Sequence, residues 1–168
     1  SFSKLGDLAR QQGRPEEARR LFEQANEVFK KLAAANPDAE GLQRELAVSF
    51  SKLGDLASDQ GRPEEARRLF EQYNAISQKL AAANPDAEGL QRELAVSWVK
   101  LGDLENQVGH SEAARNCWQQ GLTLLETRLS INPGSADLQR LVQRTQERLG
   151  QKSSSKSWLA RLRQWLGL

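Results

Sequence analysis

The chain has 168 residues, with 24 basic and 22 acidic side chains, one histidine and one cysteine. A single cysteine excludes an internal disulfide and is typical of a reducing compartment, so a cytoplasmic location is expected. No apolar run approaches the roughly 18 residues that cross a membrane, and no secretory signal is expected. Residues 151–168 hold four basic and no acidic side chains, which leaves a net charge of −2 on the rest. Nucleic-acid binding is not predicted, because it requires a basic folded surface.

A seven-residue phrase recurs at a fixed spacing. It reads FSKLGDL at 2–8 and again at 50–56, and WVKLGDL at 98–104, so that the copies begin 48 residues apart. A constant period of this size is the mark of stacked repeats. We therefore divide the chain into a solenoid at 1–150, a Ser/Lys linker at 151–157 and a tail at 158–168. The solenoid is predicted to contain repeats 2–49, 50–97 and 98–134 and a capping helix 135–150.

Each repeat is predicted to form two helices of roughly 20 residues. The first follows an Asn-Pro-Asp turn, where Asn or Asp suits the cap and Pro suits the first turn. Its apolar residues recur every three or four positions, as one face of a helix requires, and Gly61 ends it. The second helix begins at Pro63, with Glu64 and Glu65 at its positive end. The predicted buried residues are Leu42, Leu46, Phe50, Leu53 and Ala57 on the first helix, and Ala66, Leu69, Phe70, Tyr73, Ile76 and Leu80 on the second.

The phrase resembles the tetratricopeptide repeat (TPR) family. Trp98, Leu101 and Gly102 match its Trp-x2-Leu-Gly pattern, and its Ala-x3-Phe signature is met by Ala18/Phe22, Ala66/Phe70 and Ala114/Trp118. A closing proline stands at Pro37, Pro85 and Pro133. The resemblance implies an all-α fold, a right-handed TPR-like α-solenoid. The period departs from the usual 34 residues, and the surplus fits about two extra turns on each helix.

The glycine of the phrase is predicted to be a packing residue. Glycine within a helix costs roughly 1 kcal/mol relative to alanine. That cost is bearable if the missing Cβ lets the second helix approach. In repeat 2 we expect Gly54 to face Ala66, with Phe50 and Phe70 on either side.

The two ends of the array are predicted to differ. Residues 135–150 repeat the apolar spacing of a first helix and expose Gln139, Arg140, Gln143, Arg144 and Arg148, as a polar cap does. At the other end, the counterpart of 38–49 is missing before Phe2. We interpret the chain as part of a longer array, within a larger bacterial-type scaffold or sensor protein. Its apolar N-terminal end, or its tail, is a candidate for self-association.

The tail has the pattern of a short basic amphipathic helix. Three readings stay open: a terminus without fixed contacts, docking on the solenoid or a partner, and weak attachment to a membrane surface. Docking of the tail in the chain's own groove would be autoinhibitory. The tail residues assigned to docking or to a membrane are Trp158, Leu159, Arg161, Leu162, Trp165 and Leu166.

No motif for catalysis, for a metal or for a cofactor is present. The sequence has no phosphate loop, no zinc-spaced set of Cys and His and no nucleophile elbow. His110 lies in the predicted turn of repeat 3, and Cys117 takes the place of Leu21 and Leu69 as a small apolar side chain. We therefore predict neither an enzyme nor a bound cofactor.

By the family resemblance, the first helices line a concave groove that takes an extended peptide or a helix. Lys4, Lys52 and Lys100 stand three residues before Asp7, Asp55 and Asp103. In one interpretation, each lysine pairs with the aspartate three residues later in its own helix. In the other, the alternating charges face a ligand in the groove. The chain is thus predicted to be a protein-interaction module; the alternative is a structural spacer or oligomerisation array, tethered to a membrane by the tail. The groove residues are Ser3, Asp7, Arg10, Gln11, Ser51, Lys52, Asp55, Ser58, Asp59, Val99, Lys100, Asp103, Asn106 and Gln107.

Overall fold

The computed structural model describes residues 2–150, and within them the chain is entirely helical. Seven α-helices follow one another without a strand in this part of the chain. Helices α1, α3, α5 and α7 are the first helices of successive repeats, and α2, α4 and α6 are the second helices. Their bounds are α1 Phe2–Gln11, α2 Pro15–Ala35, α3 Glu40–Asp59, α4 Pro63–Ala83, α5 Glu88–Gln107, α6 Ser111–Ile131 and α7 Ala136–Arg148.

The helix boundaries confirm the predicted pairs of long helices. Helices α3 and α5 have 20 residues, and α2, α4 and α6 have 21. Prolines open α2 and α4 at the first turn, and Gly61 follows α3 with a φ of 68°, a conformation that favours glycine. One expectation is wrong. The residue at the N-cap of α3 is Ala39, without a side-chain cap, and the Asn36 side chain instead donates to the Leu32 carbonyl at the end of α2.

The apolar core is a series of clusters that join neighbouring repeats. Leu56 of α3 packs with Ala18 and Phe22 of α2, and Leu104 of α5 packs with Ala66 and Phe70 of α4 in the same way. Each second helix therefore contacts the first helix of its own repeat and that of the next. A linear stack of this kind is an α-solenoid, in which each unit depends on its neighbours.

Within each repeat, an aromatic ring lies against the glycine of the repeated phrase. A Cβ added at Gly54 would lie 2.5 Å from Cε1 of Phe70. Gly6 has the same relation to Phe22, and Gly102 has it to Trp118. Gly54 was correctly identified as a close-approach position, but its nearest neighbour is the Phe70 ring rather than Ala66.

The two nearly identical repeats differ by an exchange of large and small side chains one helical turn apart. Repeat 1 has Ala25 and Phe29, whereas repeat 2 has Tyr73 and Ser77 at the equivalent positions. Phe29 and Tyr73 pack in one cluster between α2, α3 and α4. The Tyr73 hydroxyl donates to the Glu93 carbonyl at 3.2 Å, and burial raises the pKa of this phenol, which stays protonated. These two differences therefore move the large side chain by one helical turn and keep it in the same apolar cluster.

Buried polar pairs connect successive repeats. Asn26 of α2 donates to the Ser49 hydroxyl of α3 at 2.8 Å, and Asn74 of α4 donates to Ser97 of α5 at the same distance. All four residues are buried. An amide that must meet one hydroxyl disfavours a shifted alignment, because a shift would leave both groups buried and unpaired.

The two ends of the described array differ as predicted in their polarity. Helix α7 covers α6 with Leu138 and Val142 and exposes Gln139, Arg140 and Arg144. At the opposite end, five apolar side chains are between 42% and 52% exposed. We call this surface the N-terminal face; its residues are Phe2, Leu5, Leu8, Val28 and Leu32.

We expect the substitution Gly54→Ala to destabilise the protein although alanine favours helices. Its Cβ would lie within 2.6 Å of two ring carbons of Phe70, and overpacking of this kind costs about 1–3 kcal/mol. Gly41 lies on the same helix with no atom near its missing Cβ. Gly41→Ala is therefore the matched control, and because Gly41 lies in the first turn of α3 it should leave the stability unchanged or slightly raised. Urea unfolding followed by circular dichroism measures both. Equal stabilities of the two variants would contradict the packing role of Gly54.

Candidate functional site

The aspartates and lysines of the repeated phrase form a column of ion pairs across the first helices. The Lys52 ammonium of α3 contacts Asp7 of α1, and the Lys100 ammonium of α5 contacts Asp55 of α3. The i,i+3 pairing considered from the sequence is wrong for these lysines, because each reaches back to the preceding repeat. Lys52 and Lys100 also lie 5.5 Å from the ring centroids of Phe22 and Phe70. We call this surface, made by α1, α3, α5 and α7, the first-helix face.

Arg148 of α7 continues the same column. It occupies the position of Lys52 and Lys100 and holds the Asp103 carboxylate through Nε at 2.6 Å and a terminal nitrogen at 2.9 Å. Asp103 also accepts from the Trp118 indole at 2.9 Å. Sequence reasoning placed Arg148 among exposed capping residues. Its spacing of 48 from Lys100 was the signal that identifies its partner.

A second set of contacts lies near the ends of the first helices. Arg10 reaches Asp59 at 2.5 Å, and the Ser58 hydroxyl donates to Gln107 at 2.8 Å. Thus four of the predicted groove residues meet in pairs across repeats. Gln11 and Asn106 are exposed on the same helix ends.

Three predicted groove residues that occupy equivalent positions in the repeats are partly or fully buried. They are Ser3, Ser51 and Val99. Ser51 is buried, with 9% exposure, and Val99 packs against the cluster between α5, α6 and α7. A Cβ at Gly121 of α6 would lie 2.9 Å from a methyl group of Val99. Ser3, the third member, is half-buried. The structure therefore brings together the Lys and Asp residues of the predicted groove. The positions of Ser3, Ser51 and Val99 are separate from them.

A cleft opens where the array reaches α7. Its volume is about 520 Å³. Helix α7 ends at Arg148, whereas the repeat spacing of 48 would extend it to 155, by comparison with Gln107 at the end of α5. Helices α3 and α5 each have two further turns that pack against the preceding repeat, whereas α7 ends before these turns. We call this the repeat-3 cleft; it is lined by Asp103, Asn106, Ser111, Arg115, Trp118 and Arg148.

The repeat-3 cleft combines a fixed carboxylate with available donors. Asp103 is held by Trp118 and Arg148, so its charge is neutralised within the cleft. In the part of the chain that the structure describes, exposed Arg115 has one long contact, 3.4 Å to the Leu149 carbonyl. Within residues 2–150, the side chains of Asn106 and Ser111 make no hydrogen bond and are exposed. The cleft therefore presents a guanidinium, an amide and a hydroxyl to a ligand.

Repeat 3 also contains a buried carboxylate that the sequence analysis did not identify. Glu105 is 6% exposed and replaces Ala9 and Ala57 of the other repeats. Two guanidinium nitrogens of Arg67 contact it, one at 3.2 Å, and Nδ1 of His110 lies 2.8 Å away. His110 is thus a turn residue beside a carboxylate. Among the described residues, no group of three His, Cys, Asp or Glu has the arrangement of a metal site.

Cys117 lies partly buried near this carboxylate. Burial raises the pKa of its thiol, the negative charge of Glu105 raises it further, and the positive charge of Arg67 opposes both. The thiol therefore remains protonated at neutral pH and packs against the cluster of Ala66 and Phe70. This placement confirms the apolar role that its alignment with Leu21 and Leu69 predicted.

The substitution Arg67→Met should be strongly destabilising. It would leave the Glu105 carboxylate buried without its main cationic partner, which typically costs about 3–5 kcal/mol. Arg19 is the equivalent residue of repeat 1, but it faces exposed Glu23 and half-buried Glu65. Arg19→Met should therefore cost less than about 1 kcal/mol. Thermal and urea unfolding of both variants measures the difference, and a small loss for Arg67→Met would show that the carboxylate is solvated.

The predicted tail residues, from Trp158 to Leu166, lie outside the described residues. No helix within residues 2–150 is long and apolar enough to cross a membrane.

Comparisons with known proteins agree with the helical-repeat fold described above. Residues 1–79 match the family model described as tetratricopeptide repeat. The fold is similar to BtubC (BKLC) from P. vanneervenii, with a TM-score of 0.60 and 16% identity over 97% of this chain. This chain covers 61% of that protein's length. It is also similar to TTC0263, a thermophilic TPR protein of Thermus thermophilus, with a TM-score of 0.58, 22% identity and coverage of 96% of this chain and 71% of that one. Identities this low show the fold alone. No curated protein matches the chain.

Proposed function

We propose that this chain, whose residues 1–79 match the tetratricopeptide repeat model, is a protein-interaction module that binds a peptide or helix along the first-helix face. Domains of this family are generally non-catalytic and bind proteins or peptides. The observation that carries the proposal is the repeat-3 cleft, because within residues 2–150 its exposed Arg115, Asn106 and Ser111 are not used by the fold in the way that the remaining face is.

The ion-pair column indicates which part of the first-helix face is available to anchor a ligand. Lys52, Lys100 and Arg148 are occupied by aspartates of the preceding repeat. A ligand that took these cations would have to compete with a contact already made. Among the described residues, Arg115 makes a single long contact, so an acidic side chain of the ligand meets less competition there. We therefore place an acidic residue of the peptide in the cleft and the rest of the peptide along α5 and α3.

The alternative function, a structural spacer, accounts for the column but not for the cleft. A spacer needs contacts between repeats, and the Lys–Asp and Asn–Ser pairs supply them. It has no use for uncommitted donors in a concave site. Exposed polar donors around a cavity are typical of a site that orients a ligand.

Selection of peptides from a display library on the immobilised protein tests this function. We expect enriched sequences to contain an acidic residue, and Arg115→Glu to weaken their binding by about tenfold or more, since hydrogen bonds to charged groups contribute about 1.5–3 kcal/mol. Arg68→Glu is the matched control, because Arg68 is exposed on the second helix α4 and carries the same charge change. Isothermal titration measures both affinities.

A second variant tests the extent of the binding face. Asp55→Lys/Asp59→Lys reverses two charges of the first-helix face, at positions that pair with Lys100 and Arg10. If the peptide runs along α3, its affinity should fall in this variant while circular dichroism stays unchanged. Failure to enrich any peptide, or equal losses for Arg115→Glu and Arg68→Glu, would favour the spacer.

A further inference from the structure

At the junction of repeats 1 and 2, a carboxylate lies between two arginines. Glu65 of α4 is contacted by Arg19 of α2 at 3.4 Å and by Arg62 of the turn that precedes α4. Arginine is not deprotonated in proteins, so both guanidinium groups keep their charge. Two cations and one carboxylate give these three groups a net charge of +1 that does not change around neutral pH.

Repeat 3 builds the same arrangement from different residues. The carboxylate has moved from the start of the second helix, where Ala113 now stands, to the end of the first helix, where Glu105 replaces an alanine. Arg67 of the preceding repeat contacts this carboxylate. His110 stands where repeat 2 has Arg62, and its Nδ1 lies 2.8 Å from the same carboxylate. One of the two cationic positions is therefore an imidazole in repeat 3.

The imidazole makes the charge of this second group depend on pH. Histidine changes its charge between about pH 5 and 8, and His110 is the only histidine of the chain. Its side chain is 59% exposed, so the ring exchanges protons with the solvent. Burial raises the pKa of the nearby Cys117 thiol, which stays neutral over the same range. With a neutral ring, the charges of Arg67 and Glu105 cancel, whereas with a protonated ring the group carries a net charge of +1.

The elements around His110 bring few other charges to it. Glu105 of α5 and Arg67 of α4 are the charged groups that face this contact. Helix α6 adds Glu112 and Arg115 in its first turns; both are exposed, and within residues 2–150 no ion pair joins either of them to the imidazole. Because Glu105 is buried, salt screens its attraction for the ring less than it screens a pair at the surface. Glu105 is therefore the carboxylate to which the ring responds.

The contact between His110 and Glu105 closes the α5–α6 turn at the rim of the repeat-3 cleft. Asn106 follows Glu105 and Ser111 follows His110 in the chain, and Asn106 and Ser111 both line the cleft. The His110 amide also donates to the Glu105 carbonyl at 2.8 Å, so the same two residues are joined through backbone and side chain. A change in the side-chain contact thus acts one residue away from each of these two donors of the cleft.

The charge gained at His110 bears on the ligand that the cleft takes. Asp103 of the cleft is paired with Arg148, so a positive charge at His110 adds to that of Arg115, and a more positive site attracts an acidic ligand more strongly. We infer, resting on the function proposed above, that protonation of His110 regulates the repeat-3 cleft. An acidic peptide binds more tightly when the imidazole is charged than when it is neutral.

The first test uses the complete protein without a ligand. Because His110 is the only histidine, the ring C–H signals in a proton NMR spectrum report its protonation directly. We expect the backbone amide signals of Asn106 and Ser111 to shift with pH at the same midpoint as the ring. The amide of Arg10, the equivalent of Asn106 in repeat 1, is the control and should not follow this midpoint. In His110→Arg, the Asn106 and Ser111 signals should stay fixed over the same range.

Isothermal titration with an acidic peptide from the display selection then measures the regulation. Its affinity should rise about two- to fivefold between about pH 7.5 and about pH 6, as for the gain of one partly exposed attraction. His110→Arg restores the residue of repeat 2 and should bind tightly at both pH values. His110→Asn keeps a hydrogen-bonding amide without a charge and should bind weakly at both. The same peptide with its acidic residue changed to the amide should bind independently of pH.

The outcomes separate this inference from the proposed function. A peptide that binds with the same affinity at both pH values overturns the regulation and leaves the proposed function standing. So does a ring that titrates while the Asn106 and Ser111 amides stay fixed, or a pH dependence that persists in His110→Arg and therefore arises elsewhere. Absence of binding at both pH values overturns the proposed function and this inference with it.

Discussion

The contact between an aromatic ring and a glycine of the paired helix is the constraint on which the rest of the structure depends. Phe22, Phe70 and Trp118 can lie in their positions because Gly6, Gly54 and Gly102 have no Cβ. Glycine disfavours the helix by about 1 kcal/mol, but it brings the two helices of a repeat close together. The same rings then form one side of the surface that receives Leu56 and Leu104 of the following repeats. One close contact therefore sets both the helix pair and its interface with the next pair.

Two kinds of polar contact align the repeats, and they contribute differently. The Lys–Asp column is partly exposed, with side-chain exposures of 24% and 43% for Lys52 and Asp7, so each pair adds little free energy. The Asn26–Ser49 and Asn74–Ser97 pairs are buried, and leaving such groups unpaired costs about 1–3 kcal/mol. We conclude that the buried amides fix the register, whereas the column matches the charges of adjacent first helices along a face that remains accessible.

Much of this architecture could be predicted from the sequence because it follows from periodicity. The spacing of 48 residues, the prolines at helix starts and the glycines after helix ends determined the helix pairs, and Gly54 was recognised as a packing position. The partners across repeats were less accessible. Lys52 pairs with Asp7 rather than with Asp55 of its own helix, a choice that depends on how the helices are offset. The burial of Glu105 beside Arg67 depends likewise on a contact between repeats, and a single repeat gives no sign of it.

The last described helix explains why the candidate site lies where it does. An end unit must cover the apolar surface before it and expose a polar surface after it. Helix α7 covers the apolar surface of α6 with Leu138 and Val142. Thr145 now stands where Ser49 and Ser97 accept an amide, and Leu122 replaces the asparagine donor, so this junction needs no buried amide. Arg148 continues the column of ion pairs. Helix α7 ends at this residue, before the end that the repeat spacing predicts. Within residues 2–150, the donors around Asp103 that a full-length first helix would cover are therefore left open, and the end of the repeat pattern in this range produces the cleft in which we place the ligand.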